Sequence, residues 1–252
     1  MIDEWGKGAK YWDKAWNPIV GCRKISEGCE NCYAERMAAQ FPELQDKFGG
    51  FMPHFPKKQK SPPKTGVVFV GNMTDIFGVW NNNHAIYNWL YSLSKEAINL
   101  VLTKRSGQLR YFMQWNASND YPLIEDNENI CLGVTTENQQ RLELRTLDLQ
   151  AWHGKRWLSV EPLLERIDLE VNIAYDNSTP IISTFDWVVV GAESGTNRRP
   201  CSLDWVRQIV RQCQTAKVPV FVKQLDIAGK LVSDIDQFPE DLQIRQVPWR
   251  HK

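Results

Sequence analysis

The sequence predicts an α/β fold, most simply a full or partial (β/α) barrel with six or seven parallel strands. Short apolar runs recur about every thirty residues, which is the length of one strand-plus-helix unit. The runs are apolar almost throughout, as expected of parallel strands that are buried on both faces. Stretches with helical periodicity lie between the runs. An open doubly wound sheet is the alternative, but no G-x-G-x-x-G follows any run, which favours the barrel.

Six apolar runs are the predicted strands, and they cover residues 67–71, 99–103, 130–134, 156–160, 187–191 and 218–222. A shorter run over residues 18–21 is the candidate first strand. The predicted helices cover residues 35–41, 84–98 and 138–152, and a fourth begins after Ser202, whose hydroxyl suits an N-cap.

One domain is expected to span residues 1–252. Three polar or proline-rich stretches interrupt the rhythm and predict loop insertions near residues 42–66, 106–129 and 172–185. From Asp226 onward the chain shows little periodicity, so an irregular C-terminal tail is expected.

Composition limits the class of protein. The chain has 30 Lys+Arg against 30 Asp+Glu, so a protein that coats nucleic acid by net charge alone is excluded. No apolar run approaches the roughly 20 residues of a membrane span, so no membrane partner is expected. The polar N-terminus lacks the apolar stretch of a secretory signal, which makes the cytoplasm the expected compartment.

The most informative motif is a group of three cysteines, Cys22, Cys29 and Cys32, with the spacing C-x6-C-x2-C. In a reducing compartment, grouped thiolates indicate a soft metal centre, either zinc or iron–sulfur. Structural zinc usually takes four ligands, and neither a second C-x2-C nor a His-x3–5-His is present. Three cysteines suit a [4Fe–4S] cluster with one iron left open. A zinc site completed by a distant residue, or a chance grouping, remains the alternative.

The other three cysteines, Cys131, Cys201 and Cys213, are scattered along the chain. We interpret them as ordinary thiols, with a radical relay or a fourth metal ligand as the alternative roles.

Polar residues follow most predicted strands, where (β/α) barrels place their active sites. The candidate site residues are Asn72, Asp75, Lys104, Arg105, Ser159, Glu161, Glu193 and Lys223. Strand-end polar residues also cap helices or face water, and Lys223 with Glu161 or Glu193 would make a structural ion pair. Two glutamates on a barrel are typical of glycosidases as well, but that reading gives the cysteine loop no role.

The chain resembles the phage Gp37/Gp68 family, also called DUF5131. The resemblance rests on the segments 16–35, 70–77, 102–105, 132–135, 158–164, 189–195 and 221–224. That family is similar to radical S-adenosylmethionine (SAM) enzymes, whose partial (β/α) barrel carries a three-cysteine loop after its first strand. Those enzymes usually show C-x3-C-x2-C, whereas this chain has six residues in the first gap.

The resemblance implies a radical-SAM-like barrel whose cofactors are a [4Fe–4S] cluster and SAM. Three irons would be held by the three grouped cysteines, and SAM would chelate the fourth. Asn72 and Asp75 would bind the SAM amino group, and Lys104 or Arg105 would bind its carboxylate. Ser159 would contact ribose or substrate. The catalytic residues would be Glu161, Glu193 and Lys223.

The implied activity is reductive cleavage of SAM to a 5′-deoxyadenosyl radical, which abstracts hydrogen from a substrate held in the barrel. The expected partners are a small-molecule or nucleic-acid substrate and a protein that reduces the cluster. For a phage-encoded protein the compartment would be the host cytoplasm. The alternative function is a non-enzymatic zinc or iron–sulfur module that contacts nucleic acid or a partner protein.

Overall fold

Strands and helices alternate along the chain in a computed structural model that describes residues 10–49, 53–57, 60–78, 80–172, 178–195 and 197–249. Among these residues the strands are β1 (Lys14–Trp16), β2 (Gly66–Val70), β3 (Ala97–Thr103), β4 (Ile130–Thr135), β5 (Lys155–Val160), β6 (Trp187–Gly191), β7 (Val220–Ile227) and β8 (Lys230–Val232). The α-helices are α1 (Tyr33–Ala38), α2 (Asn83–Tyr91), α3 (Ser106–Ala117), α4 (Gln139–Leu149) and α5 (Leu203–Ala216).

The chain forms two compact units. The N-terminal unit comprises Trp12–Val134 and Asp148–Lys155, and the C-terminal unit comprises Met1–Tyr11, Thr135–Leu147 and Arg156–Lys252. A single domain over residues 1–252 stays a prediction.

Within the N-terminal unit, β1, β2, β3 and β4 pair in chain order, and all three pairs are parallel. Within the C-terminal unit, β5, β6 and β7 pair in the same way, and β8 pairs antiparallel with β7. The predicted mostly parallel α/β fold is confirmed. Open doubly wound sheets reverse their strand order at a switch point, and neither unit contains such a reversal.

Strand burial follows from the apolar runs in the sequence. β4 and β6 are buried along their whole length, as expected of parallel strands covered on both faces. In the C-terminal unit the ring of Tyr11 packs edge-on against Trp187 at 5.3 Å and Phe221 at 5.5 Å. These contacts fix the Tyr11 hydroxyl close to the carboxyl ends of β5 and β7.

The first strand and the second helix differ from their predictions. β1 is Lys14–Trp16 and not residues 18–21, because Pro18 lacks the N–H that a strand ladder needs. Residues 20–22 form isolated bridges instead. α2 ends at Tyr91 and not at residue 98, since Ala97 already begins β3.

The predicted insertion at 106–129 was wrong in its first half, which is the helix α3. Leu109, Phe112 and Met113 are buried on one face of α3, at the spacing of an amphipathic helix. The predicted N-cap of α5 is confirmed, because the Ser202 hydroxyl accepts a hydrogen bond from the backbone N–H of Asp204.

The tail is more regular than predicted, since Asp226 lies within β7 and β8 forms a hairpin with it. In the region 42–66 a short 3-10 helix covers Pro42–Leu44, while residues 50–52 and 58–59 lie outside the described part. In the region 172–185 a 3-10 helix covers Ile181–Thr184, and residues 173–177 lie outside it. No helix in the described ranges has the length and apolar character to cross a membrane.

Candidate functional site

The cysteine loop follows β1 and is bonded to the loop after β2. Asn17 makes two of these bonds: its Oδ1 accepts from the backbone N–H of Met73 at 2.9 Å, and its Nδ2 donates to Asn72 Oδ1 at 2.7 Å. The hydroxyl of Tyr33, the residue after the last cysteine, donates to the Asn72 carbonyl at 2.5 Å. Both ends of the cysteine loop are therefore fastened to one short segment.

Gly21 sets the backbone path just before the first cysteine. Its N–H donates to the Met73 carbonyl at 3.0 Å, and its carbonyl accepts from the Thr74 hydroxyl at 2.7 Å. Its φ is +126°, and an added Cβ would lie 2.6 Å from the Lys47 carbonyl oxygen. Both the conformation and the space therefore require glycine at this position.

Replacing Gly21 by Ala is expected to destabilise the N-terminal unit by at least about 3 kcal/mol, because backbone strain and a steric clash add. Gly49 is the matched control, since its φ of +92° is also positive but an added Cβ meets no atom of the described residues within 4 Å. Gly49→Ala should cost about 1–2 kcal/mol. Urea unfolding measures both variants, and equal losses would show that the clash at Gly21 is relieved.

The three thiols of the loop are all half-buried. Cys29 ends a short 3-10 turn and Cys32 precedes α1. Burial, assisted by the nearby Asp75 carboxylate, raises the pKa of the Cys22 thiol to about 12, while Arg105 acts in the opposite direction. Cys29 and Cys32 also raise the pKa of Cys22, so both of their sulfurs lie within electrostatic range of the Cys22 sulfur.

The donor set fits a soft metal, because three thiols on one short anchored loop are ligands that zinc or an iron–sulfur cluster takes. Cys22 Sγ lies 3.6 Å from the Arg23 carbonyl and Cys29 Sγ 3.7 Å from the Ser26 hydroxyl. Within the described residues, no group of three or more His, Cys, Asp or Glu side chains has an arrangement that could hold a metal ion. Ligation by Cys22, Cys29 and Cys32 therefore stays a prediction.

Asp75 lies at the same edge of the N-terminal unit, and its carboxylate holds the turn after β3. Its oxygens accept from the Thr103 hydroxyl at 2.8 and 2.9 Å, from the Lys104 N–H at 3.1 Å and from the Phe77 N–H at 3.1 Å. The Thr103 hydroxyl also accepts from the Arg105 N–H at 2.8 Å. Asp75 thus orients the backbone that presents Lys104 and Arg105.

Arg105 connects this turn to the cysteine loop. Its Nη2 donates to the Arg23 carbonyl at 2.8 Å, and its guanidinium lies over the ring of Trp80 at 5.6 Å. The side chain of Lys104 is half-buried and makes no hydrogen bond or ion pair within the described ranges. The structure thus brings Asn72, Asp75, Arg105 and the cysteine loop together.

Glu161 and Lys223 form a second polar cluster, in the C-terminal unit, at the ends of β5 and β7. Lys223 Nζ lies 2.8 Å from Glu161 Oε1, yet among the described residues this oxygen has no donor aligned for a hydrogen bond. Glu161 Oε2 accepts from the Tyr11 hydroxyl at 3.3 Å and from the Ser159 hydroxyl at 3.4 Å. An added Cβ at Gly191 would lie 3.3 Å from Glu161 Oε1, so glycine keeps the space beside the pair open.

Glu193, a predicted catalytic residue, is held by Arg199. Its Oε2 accepts from the Arg199 backbone N–H at 2.8 Å and from Nε at 3.0 Å, and Oε1 accepts from Nη2. The Glu193 side chain is 4% exposed. The ion pair between Glu193 and Arg199 holds the loop after β6 together. Because Arg199 engages both carboxylate oxygens, the pairing argues against a role for Glu193 as a free base.

Sequence reasoning missed Asn17, Tyr11, Trp80 and Arg199 as parts of these clusters. The partners Tyr11 and Glu161 lie 150 positions apart in the chain, so no local pattern connects them. Asn17 lies within the segment 16–35 that carries the family resemblance, and Trp80 lies three residues after the segment 70–77, so the resemblance is the sequence signal that points to them.

Cys201 and Cys213 are predicted to resist alkylation in the folded protein. Burial raises the pKa of each thiol from 9.0 to about 12, and at Cys201 the Asp226 carboxylate contributes to this rise. Because the thiolate is the nucleophile, a pKa three units higher lowers the reactive fraction about 1,000-fold at pH 8. Any residual labelling should rise about tenfold per pH unit from pH 7 to 10.

Peptide mapping after iodoacetamide treatment, with and without urea, measures this labelling. Rapid native labelling of Cys213, or a rate that levels off near pH 9, would contradict it.

Fold and site together define a class: an α/β protein with mostly parallel strands and three cysteines grouped after its first strand. The chain belongs to DUF5131, a protein family of unknown function, whose model matches residues 7–235. No curated protein matches the chain, and no solved structure matches it. The resemblance to DUF5131 is thereby confirmed. The phage Gp37/Gp68 name and the radical-SAM relationship stay predictions.

Proposed function

We propose that this protein is a radical-SAM-like iron–sulfur enzyme of the DUF5131 family. The observation that carries the proposal is one loop, placed after the first parallel strand, that contains three half-buried cysteines. The loop is fastened to the segments that follow β2 and β3 through Asn17, Gly21 and Arg105. A loop anchored at several points is suited to hold three ligands around one soft centre.

Cys22, Cys29 and Cys32 would hold a [4Fe–4S] cluster, which with SAM bound supplies one-electron reduction and hydrogen abstraction. The cationic side chains near the loop would offset the negative charge of a thiolate-ligated cluster. Lys24 is one of them: it pairs with Glu35 at 2.8 Å, and that hydrogen bond raises the pKa of the Lys24 ammonium. Arg23 follows Cys22 directly in the chain, and Arg105 adds a further positive charge, with its Nη2 on the Arg23 carbonyl.

In the proposal, the turns after β2 and β3 bind SAM. Asn72 keeps its Nδ2 donor available, because its Oδ1 and its carbonyl accept the bonds from Asn17 and Tyr33. Lys104 and Arg105 supply positive charge for the SAM carboxylate. Asp75 fixes these two residues through the backbone of the turn. The acceptor capacity that its carboxylate retains would bind the SAM amino group.

Glu161 and Lys223 are the proposed substrate-contacting pair of the C-terminal unit. The Glu161 side chain is 12% exposed and that of Lys223 is 22% exposed, so both are largely shielded, and the Oε1 atom of Glu161 is itself buried. The proposal gives the glutamate the acceptor role and the Lys223 ammonium the donor role towards a neutral group that carries both a donor and an acceptor, such as the edge of a nucleobase. Ser159 and Tyr11 orient the glutamate, while Glu193 holds the loop that follows β6.

Anaerobic purification tests the cofactor assignment. The expected result is a brown protein with about four irons and four sulfides per chain and an EPR signal on reduction. A colourless protein that carries one zinc would contradict the proposal and favour the non-enzymatic metal-binding module.

A further inference from the structure

Aromatic rings of α2, α3 and the loop after α3 pack together in the N-terminal unit. We call this group the aromatic cluster, and its rings are those of His84, Tyr87, Tyr91, Phe112, Trp115 and Tyr121. Phe112 and Tyr87 are buried, whereas Tyr91 is 60% exposed and Tyr121 is 39% exposed. The cluster therefore has a buried base and an exposed outer side.

The rings form two stacks. In the first, Trp115 is stacked on Phe112 at 6.0 Å and on Tyr121 at 5.5 Å. In the second, Tyr91 is stacked on Tyr87 at 5.4 Å with 16° between the ring planes. The rings of Tyr87 and Tyr121 lie 4.8 Å apart and join the two stacks. Each stack thus begins at a buried ring and includes an exposed tyrosine.

The loop that carries Tyr121 is held in place by a buried amide. Asn116 Oδ1 accepts from the Ile124 N–H at 3.1 Å, and its Nδ2 donates to the Pro122 carbonyl at 3.4 Å. The Tyr121 hydroxyl lies 3.4 Å from His84 Nδ1. Rings that are already fixed lose little conformational entropy when a partner binds, so the exposed side is organised for binding in advance.

Further apolar side chains enlarge the exposed side. Tyr111 is 58% exposed and Leu123 is 44% exposed. Tyr111 lies one turn before Trp115 on α3 and shares its face of the helix, and Leu123 follows Tyr121 in the fixed loop. Grouped exposed apolar side chains mark interaction surfaces, and Tyr and Trp are enriched where interfaces gain their affinity. The exposed side is therefore suited to a macromolecular partner.

The chain around the cluster is acidic. Residues 111–140 contain five Asp or Glu and no Lys or Arg, and residues 81–94 contain none of these four residue types. Asp120 and Asp126 are both exposed, and neither makes an ion pair with a residue that the structure describes. The sign of this charge favours a basic partner.

The acidic side chains act on the rings themselves. Burial raises the pKa of the Tyr87 hydroxyl, and two neighbouring tyrosines and the Asp126 carboxylate raise it as well. Two cations of the same unit are engaged elsewhere, since Arg110 lies 3.3 Å from Asp148 and Lys155 donates to a backbone carbonyl. The negative charge beside the aromatic cluster is thus left for a ligand.

We propose that the exposed side of the aromatic cluster is a docking surface for a protein segment that carries arginine. Guanidinium planes stack on the rings of Tyr91 and Tyr121, and Asp120 and Asp126 supply the counter-charge. A single-stranded nucleic acid would stack its bases on the same rings, but its phosphates would be repelled by these carboxylates. The inference is independent of the cysteine loop and of the metal that it holds.

Fluorescence anisotropy of the full-length protein with three labelled peptides tests the proposal. Each peptide has twelve residues, in which glycine alternates with arginine, with lysine or with glutamine. The arginine peptide should bind about fivefold or more tighter than the lysine peptide, because only the guanidinium stacks as a plane. It should bind about 100-fold or more tighter than the glutamine peptide. Equal binding of the arginine and lysine peptides, or no binding of the arginine peptide up to about 1 mM, would overturn the proposal.

Paired substitutions assign the binding to this surface. Tyr91→Ser combined with Tyr121→Ser should weaken the arginine peptide about tenfold or more. Asp120→Asn combined with Asp126→Asn should weaken it about fivefold and reduce its salt dependence. The control is Phe41→Ser, because that ring is 50% exposed and lies outside the cluster. The proposal fails if the affinity of either double variant equals that of the wild type.

Folding of the variants and the rival ligand are controlled in the same assay. Far-UV circular dichroism checks that the tyrosine variant is folded, and if it is not, the aspartate variant alone decides. A labelled twelve-nucleotide oligo(dT) should not displace the arginine peptide. Tighter binding of oligo(dT) than of the arginine peptide, lost in the tyrosine variant, would assign the surface to nucleic acid and overturn the proposal.

Discussion

Replacing any one of Cys22, Cys29 and Cys32 by Ala is expected to remove the iron–sulfur cluster, with bound iron falling from about four per chain to less than about a tenth of that. When one of the three thiolates is removed, the cluster keeps only two protein ligands, and two thiolates are too few to retain it. Cys22→Ala is the most informative of the three variants, because both Cys29 and Cys32 act electrostatically on the Cys22 thiol.

Cys131→Ala and Cys213→Ala are the matched controls, because both thiols are fully buried and neither lies on the cysteine loop. Iron and sulfide analysis after anaerobic purification, with visible absorption, measures all five variants. Loss of iron from a control would show that the ligand set is wrong. Retention of iron in Cys22→Ala would remove that residue from the set.

Arg145→Met is expected to destabilise the C-terminal unit by about 3–5 kcal/mol. Arg145 and Glu137 form an ion pair at 2.7 Å whose side chains are 2% and 0% exposed. Arg145 also donates to the Thr135 carbonyl at 2.5 Å. Removing the arginine leaves a carboxylate buried without its counter-charge, which is among the costliest changes in a protein interior.

Arg207→Met is the control, since Arg207 pairs with Asp204 and Asp241 at the surface. Exposed pairs contribute about 0–1 kcal/mol. The double replacement Glu137→Leu with Arg145→Met should recover most of the loss, because no charge is then left buried. Equilibrium urea unfolding measures each variant, and a loss under about 1 kcal/mol for Arg145→Met would contradict the prediction.

The strands of the long apolar runs could be predicted because parallel strands buried on both faces need little but apolar residues. β1 could not be predicted from the sequence, because it is only three residues long and its first two residues are exposed. The polar and aromatic residues of α3 predict a loop, although Leu109, Phe112 and Met113 have the spacing of a helix face. The structure shows that this spacing decides the local fold, because burial of the three apolar side chains outweighs the polarity of the rest of the segment.

The polar residues of the site were found at the strand ends, but their partners were not. Asp75 meets Thr103 and Lys104 across 28 and 29 positions, and Tyr11 meets Glu161 across 150. Such pairs exist only after the chain has folded. Whether a carboxylate is free for chemistry or is engaged by a neighbour, as Glu193 is by Arg199, therefore needs the structure.

Formation of 5′-deoxyadenosine tests the proposed function most directly. The anaerobically purified protein is reduced with dithionite and incubated with SAM, and the products are separated by liquid chromatography. The proposal predicts 5′-deoxyadenosine and methionine in the wild-type protein and none in Cys32→Ala. A protein that carries about four irons and yields no 5′-deoxyadenosine when reduced, with or without added DNA, would contradict radical SAM chemistry.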